Sequence, residues 1–86
     1  MNLIYENGCK MIIEHYGEKH QLYKLVEEMV ELTQAIMKKS NVTEEMADVQ
    51  VLLDQLKLAR PLMAKRLEEI QQGKVKRQIE RIKEQI

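Results

Sequence analysis

The chain contains no phenylalanine and no tryptophan, and three tyrosines are its whole aromatic complement. Its core must therefore come from aliphatic and methionine side chains, which makes it thin. A single cysteine, Cys9, excludes an internal disulfide and reads as a small apolar residue on a helix. One proline, Pro61, and three glycines, Gly8, Gly17 and Gly73, leave few places for a helix to stop. With 14 basic and 14 acidic side chains there is no excess of either sign, so bulk charge gives no reason to expect nucleic acid. No apolar run approaches the roughly 18 residues of a membrane span. Glu6 and Asn7 interrupt the only candidate for a secretory leader, so the expected location is cytoplasmic. No stretch alternates apolar and polar residues at period two, so no strand is expected.

What is present is helical periodicity in a chain of 86 residues, enough for one domain, 1–86. The expected architecture is all-α, a four-helix-type bundle with helices over about 3–16, 18–39, 43–59 and 62–85. Gly17 stops the first helix, Lys38 and Lys39 suit the end of the second, Asn41 with Glu44 or Glu45 marks the start of the third, and Pro61 opens the fourth. The expected apolar sets are Ile12 and Ile13 with Leu3, Ile4 and Met11 on the first helix. On the second they are Leu22, Leu25, Val26, Met29, Leu32 and Ile36. On the third they are Met46, Val49, Leu52, Leu53 and Leu56. Val75, Ile79, Ile82 and Ile86 on the fourth follow a coiled-coil-like seam. A chain this small, lacking disulfides, gains stability by association, so a homo-oligomer is expected.

The segments "EEMVELTQAI" (27–36) and "EEMADVQVLLDQL" (44–56) put acids where packed helices want apolar groups. At about 100° per residue, Glu28 sits at the edge of the second helix's apolar stripe, with Glu31 about 60° further out. On the third helix Glu45 falls inside the apolar arc, and Asp48 flanks it at about 60°. Glu27 and Glu44 face solvent. Each helix thus carries an acid pair one turn tall beside its core face. Burying unpaired carboxylates costs several kcal/mol, and no basic side chain lies between them, Lys24 being nearest. A divalent cation resolves this, and an all-oxygen donor set selects Mg2+, or Mn2+, over Zn2+.

The two segments, Glu28-x-x-Glu31 and Glu45-x-x-Asp48 with thirteen residues between them, resemble the MazG-like nucleotide pyrophosphohydrolases. These are all-α NTP pyrophosphatases, and the likeness is to the compact phage and prophage type. "YGEKHQLYKLVEEMVEL" and "KVKRQIERIKEQI" extend it over most of the chain. The resemblance implies a catalytic Mg2+ site on Glu28, Glu31, Glu45 and Asp48 in a homodimer or homotetramer. It implies hydrolysis of an NTP or dNTP between the α and β phosphates, giving a nucleoside monophosphate and pyrophosphate. The proton acceptor is open between Glu28 and Glu31. Some family members sandwich the base between aromatic residues that this chain lacks, so base recognition would rest on Tyr, His and amide groups.

Other candidates are weaker. Lys24 and Gln21, one and two turns before Glu28, are expected to reach base, sugar or phosphate, or else to be a solvated flank. His15 and His20 read as surface residues. Lys76 and Arg77 are candidates for triphosphate in a neighbouring site. The basic tail of Lys74, Lys76, Arg77, Arg81 and Lys83 is a poor nucleic-acid patch, because Glu80 and Glu84 interleave it and no aromatics stack. The alternative to an enzyme is a non-catalytic helical module that oligomerises through the Ile-rich seam.

Overall fold

The computed structural model describes residues 2–86. Among them the protein is all-α, with four helices and no strand: α1 Leu3–Tyr16, α2 Glu18–Lys38, α3 Val42–Ala59 and α4 Pro61–Gln85. None of these helices is long and apolar enough to cross a membrane.

The joints follow from local chemistry. The Asn2 side chain caps α1 by accepting the Tyr5 N–H at 2.8 Å. Gly17 alone joins α1 to α2, at φ 89°, a conformation that L side chains rarely adopt. The α2–α3 turn places Lys39 and Asn41 in the left-handed region, at φ 56° and 58°. Asn tolerates that conformation, but it leaves Asn41 no side-chain cap on α3, so its expected capping role is not realised. Pro61 takes the first turn of α4 as expected. Arg60, at the α3–α4 corner, donates from Nε to Glu18 Oε1 at 2.8 Å and from a terminal nitrogen to Glu18 Oε2 at 3.4 Å, tying the corner to the start of α2.

α2 and α3 form an antiparallel hairpin, α1 packs on both, and α4 touches α3 alone. Among the described residues the apolar core is Cys9 and Ile13 of α1, Ala35 of α2, and Leu52 and Leu56 of α3. Leu52→Ala is expected to lower the unfolding free energy by about 2–5 kcal/mol, measured by urea titration. Leu53→Ala, one residue on and 37% exposed, is expected to cost far less. Equal losses at the two positions would contradict this core.

The expected apolar stripe of α2 does not face this core. Gln21, Glu28 and Ala35 are buried towards the body, while Leu22, Val26, Met29 and Ile36 stay more than half exposed. Only Leu25 and Leu32 of the expected set are half-buried. With Val30 and Met37, the exposed residues fill an arc of about 120°, centred about 140° from the buried line. On α1, Leu3, Ile4 and Met11 are likewise exposed. The apolar residues of α4 fall out of phase at Gly73. Val75, Ile79 and Ile82 are rotated about 120° from Met63, Leu67 and Ile70, and every residue from Glu68 onward is exposed.

A candidate carboxylate metal centre

Among the described residues two carboxylates, Glu28 and Asp54, are buried, in different surroundings. Asp54 has partners for both oxygens: Tyr5 donates its hydroxyl to Oδ2 at 2.8 Å, and Gln50 donates its amide to Oδ1 at 3.1 Å. Lys57 adds a charge at 3.9 Å. This network pins α1 to α3. Burial, and after it Asp54 and then Cys9, push the Tyr5 phenol well above its ordinary value, so Tyr5 stays a neutral donor.

Glu28 has no such satisfaction. Its Oε1 lies 3.5 Å from Lys24 Nζ, but its Oε2 is buried and without a hydrogen-bond partner. Glu45, half-buried on α3, has the same defect at its own Oε2. One oxygen each from Glu28, Glu31 and Glu45 come within 4.8 Å of one another. Helix geometry produces the convergence, because Glu28 and Glu31 lie one turn apart on α2 and Glu45 sits in the first turn of the antiparallel α3. Burial raises the Glu28 carboxyl above its ordinary range, and the Glu31 carboxylate and the Asp48 charge raise it further; Lys24 opposes them.

The sequence places Glu45 as the costliest acid in the core. The structure gives that position to Glu28, at 8% exposure, because α2 turns its 21–28–35 line inward and its apolar stripe outward. Asp48 is exposed and offers no oxygen to the three-glutamate group; it acts on Glu28 through charge. Lys24 is closer than expected. It pairs with Glu27 at 3.4 Å as well as with Glu28, and these two, Glu27 foremost, hold its ammonium above its usual pKa. Gln21 is not a free flank residue. It is 4% exposed, and both ends of its amide are engaged, by Gln55 and His20. Lys76 and Arg77 lie on the exposed distal part of α4; among the described residues no ion pair joins either to the acids.

Compared with family models, curated proteins and solved structures, the chain matches none. The site therefore has to be read from its own chemistry. Its donors are carboxylate oxygens only, which suit a hard divalent ion. Glu28, Glu31 and Glu45, each with one oxygen within 4.8 Å of the others, would hold such an ion. The two orphaned oxygens, Glu28 Oε2 and Glu45 Oε2, fit such an ion as the missing partner. Sequence reasoning missed the Tyr16–His20 contact, a ring stack with centroids 4.9 Å apart and planes at 17°. Its signal was the i,i+4 spacing of the two residues ahead of the acids.

Proposed function

We propose that this protein is a Mg2+-dependent nucleoside triphosphate pyrophosphohydrolase, cleaving NTPs or dNTPs between the α and β phosphates. The observation that carries the reading is the pair of buried, unpartnered oxygens, Glu28 Oε2 and Glu45 Oε2, in a group of converging glutamates. The ExxE and ExxD spacing supports it through the family resemblance.

Glu28, Glu31 and Glu45 would hold the ion, with Mn2+ as a substitute, and Asp48 lies beside them as a further carboxylate. The bound ion would supply charge neutralisation for phosphate oxygens and a lowered pKa for water. Glu31, exposed at the mouth of the group, or Glu28 takes the proton of the attacking water. The water oxygen bonds to the α phosphorus, the bond from that phosphorus to the bridging oxygen breaks, and pyrophosphate leaves with the electron pair.

The active form is a homodimer or homotetramer. The accessible surface of the chain is 7251 Å², against about 5,300 Å² expected for a compact monomer of this mass. The excess of about 1,900 Å² exceeds the roughly 800 Å² per partner of a standard interface. The uncovered faces of α2 and of distal α4 are separate, as a tetramer with two kinds of contact requires.

The test is incubation with the common NTPs and dNTPs in Mg2+, with pyrophosphate and monophosphate quantified. Matched amounts of both products are expected with at least one nucleotide, and Glu45→Gln is expected to abolish them. Turnover of none, or activity indifferent to Glu45→Gln, would defeat the reading and favour the non-catalytic oligomerisation module. That rival also predicts a thermal melt unmoved by Mg2+.

A further inference from the structure

Two amides between α2 and α3 are buried more deeply than Glu28. Gln21 is 4% exposed and Gln55 2%, and Gln21 donates Nε2–H to Gln55 Oε1 at 2.8 Å. The other end of the Gln21 amide, Oε1, accepts from His20 Nδ1 at 2.7 Å, so the group is gripped at both ends. Apolar side chains of similar size at 21 and 55 would fill the same space without desolvating two amides, and the net return of one hydrogen bond is small. What the pair adds is direction. Apolar contact is non-directional, whereas a buried polar pair is satisfied in one arrangement of its two helices alone.

α2 needs such a direction. Its exposed apolar stripe, which includes Leu22, Val26 and Met29, lies about 140° round the helix from the line of Gln21, Glu28 and Ala35. Burial of apolar surface alone would turn that stripe towards α3 and carry Glu28 into solvent. The turn at 39–41 holds one end of the α2–α3 hairpin, and the Gln21–Gln55 bond holds the other. The glutamates lie between these two clamps.

The spacing ties the amide pair to the acids. Gln21 and Glu28 are seven residues apart on α2, and Gln55 and Asp48 are seven apart on α3. In antiparallel helices, a register that joins Gln21 to Gln55 brings Glu28 level with Asp48 about 10 Å further on. It brings Glu31 level with Glu45 one turn beyond. The molecule shows both consequences: the Asp48 charge bears on Glu28, and Glu31 and Glu45 each bring an oxygen within 4.8 Å of the other.

We propose that the Gln21–Gln55 pair is the orientation key of the carboxylate centre: it holds α2 with its acid line, not its apolar stripe, against α3, and so brings Glu28 and Glu31 to Glu45. Gln21 and Gln55 are positioning residues, acting through the carboxylates from two turns away. The metal half of this inference rests on the glutamate reading above; the helix orientation does not.

The experiment compares wild type with Gln21→Met, Gln55→Met and the double variant. Each is followed by thermal melting, by Mn2+ binding in electron paramagnetic resonance, and by interhelical side-chain contacts in NMR of the metal-free protein. Each single variant is expected to melt below wild type, because it leaves one buried amide unpaired. The double variant leaves none, and is expected to melt at or above wild type. It is nevertheless expected to bind Mn2+ about tenfold more weakly, the lower end of what supporting groups around a metal contribute. In the same variant, contacts from Val26 and Met29 to α3 are expected to replace those from Glu28 and Ala35. Wild-type affinity or wild-type contacts in the double variant would overturn the key and leave the glutamate reading standing. A double variant that melts well below wild type would also overturn it, making the pair a stabilising bond only. A wild type that binds no Mn2+, with contacts that still shift in the double variant, would defeat the glutamate reading and leave the orientation key standing.

Discussion

Glu28→Gln is expected to end divalent-dependent pyrophosphate release and, in the same protein, to raise the melting temperature of the metal-free form. The two effects have one cause. Even supporting groups around a bound metal cost about 10–100-fold when removed, so loss of a direct ligand is expected to lower turnover by more than about 100-fold. Without the ion, the Glu28 carboxylate is a buried charge beside Glu31 and Asp48, with one oxygen unsatisfied and only Lys24 to oppose the repulsion. A neutral amide of the same shape relieves that repulsion. The pH dependence carries the same sign. The folded Glu28 carboxyl is raised above its ordinary 4.5, so the folded state binds more protons between the two values. The Glu28 contribution is present in acid and is lost as pH rises through the folded pKa. Metal-free wild type is therefore expected to lose stability from mildly acidic to neutral pH more steeply than Glu28→Gln does, and Mg2+ is expected to reverse the wild-type loss at neutral pH alone. Thermal melts of both proteins across that range, with and without Mg2+, check it. A variant less stable than wild type without metal, or equally stabilised by Mg2+, would contradict the site.

Helix existence and limits were legible in the sequence because their signals are local. Gly17 needs only its own positive φ to end α1, and Pro61 needs only its own ring to open α4. The orientation of α2 was not legible. Periodicity reports that apolar residues share a face, not which neighbour that face meets. Leu22, Val26, Met29 and Ile36 read as core from their shared face, yet the line turned towards α3 is Gln21, Glu28 and Ala35. The same limit hid the roles of Gln21 and His20, since a hydrogen bond to Gln55, thirty-four residues away, leaves no mark in local spacing. The acid group was legible in part. Spacing named Glu28, Glu31 and Glu45, but the exposure of Asp48 depends on the packing angle of two helices, which spacing does not encode.

Met29→Lys is expected to break the assembly. Met29 is half exposed in the single chain and lies midway along the outward stripe of α2, between Leu22 and Met37. The chain's radius of gyration is 15.7 Å, against about 12 Å for a compact domain of this length, and its surface excess would be covered by one or more interfaces. A two-fold interface uses the same patch on both copies, so one substitution places two ammonium groups in the contact. Each must be desolvated against apolar neighbours; the acid that shares the arc, Glu18, is about 16 Å away along α2 and already paired with Arg60. Association is expected to weaken by at least about tenfold in affinity, seen as a fall in mass by light scattering at micromolar concentration. Met11→Lys, at a 73% exposed position on α1 outside the arc, is expected to leave the mass unchanged. A wild type that is monomeric, or an assembly indifferent to Met29→Lys, would remove α2 as the interface. Ile79→Lys separates the remaining possibility. If it alone dissociates the protein, the contact lies on distal α4, where Val75, Ile79 and Ile82 form the other uncovered stripe. If the two substitutions each halve a larger particle, the protein has two kinds of contact, and the α2 face and the α4 face each close one of them.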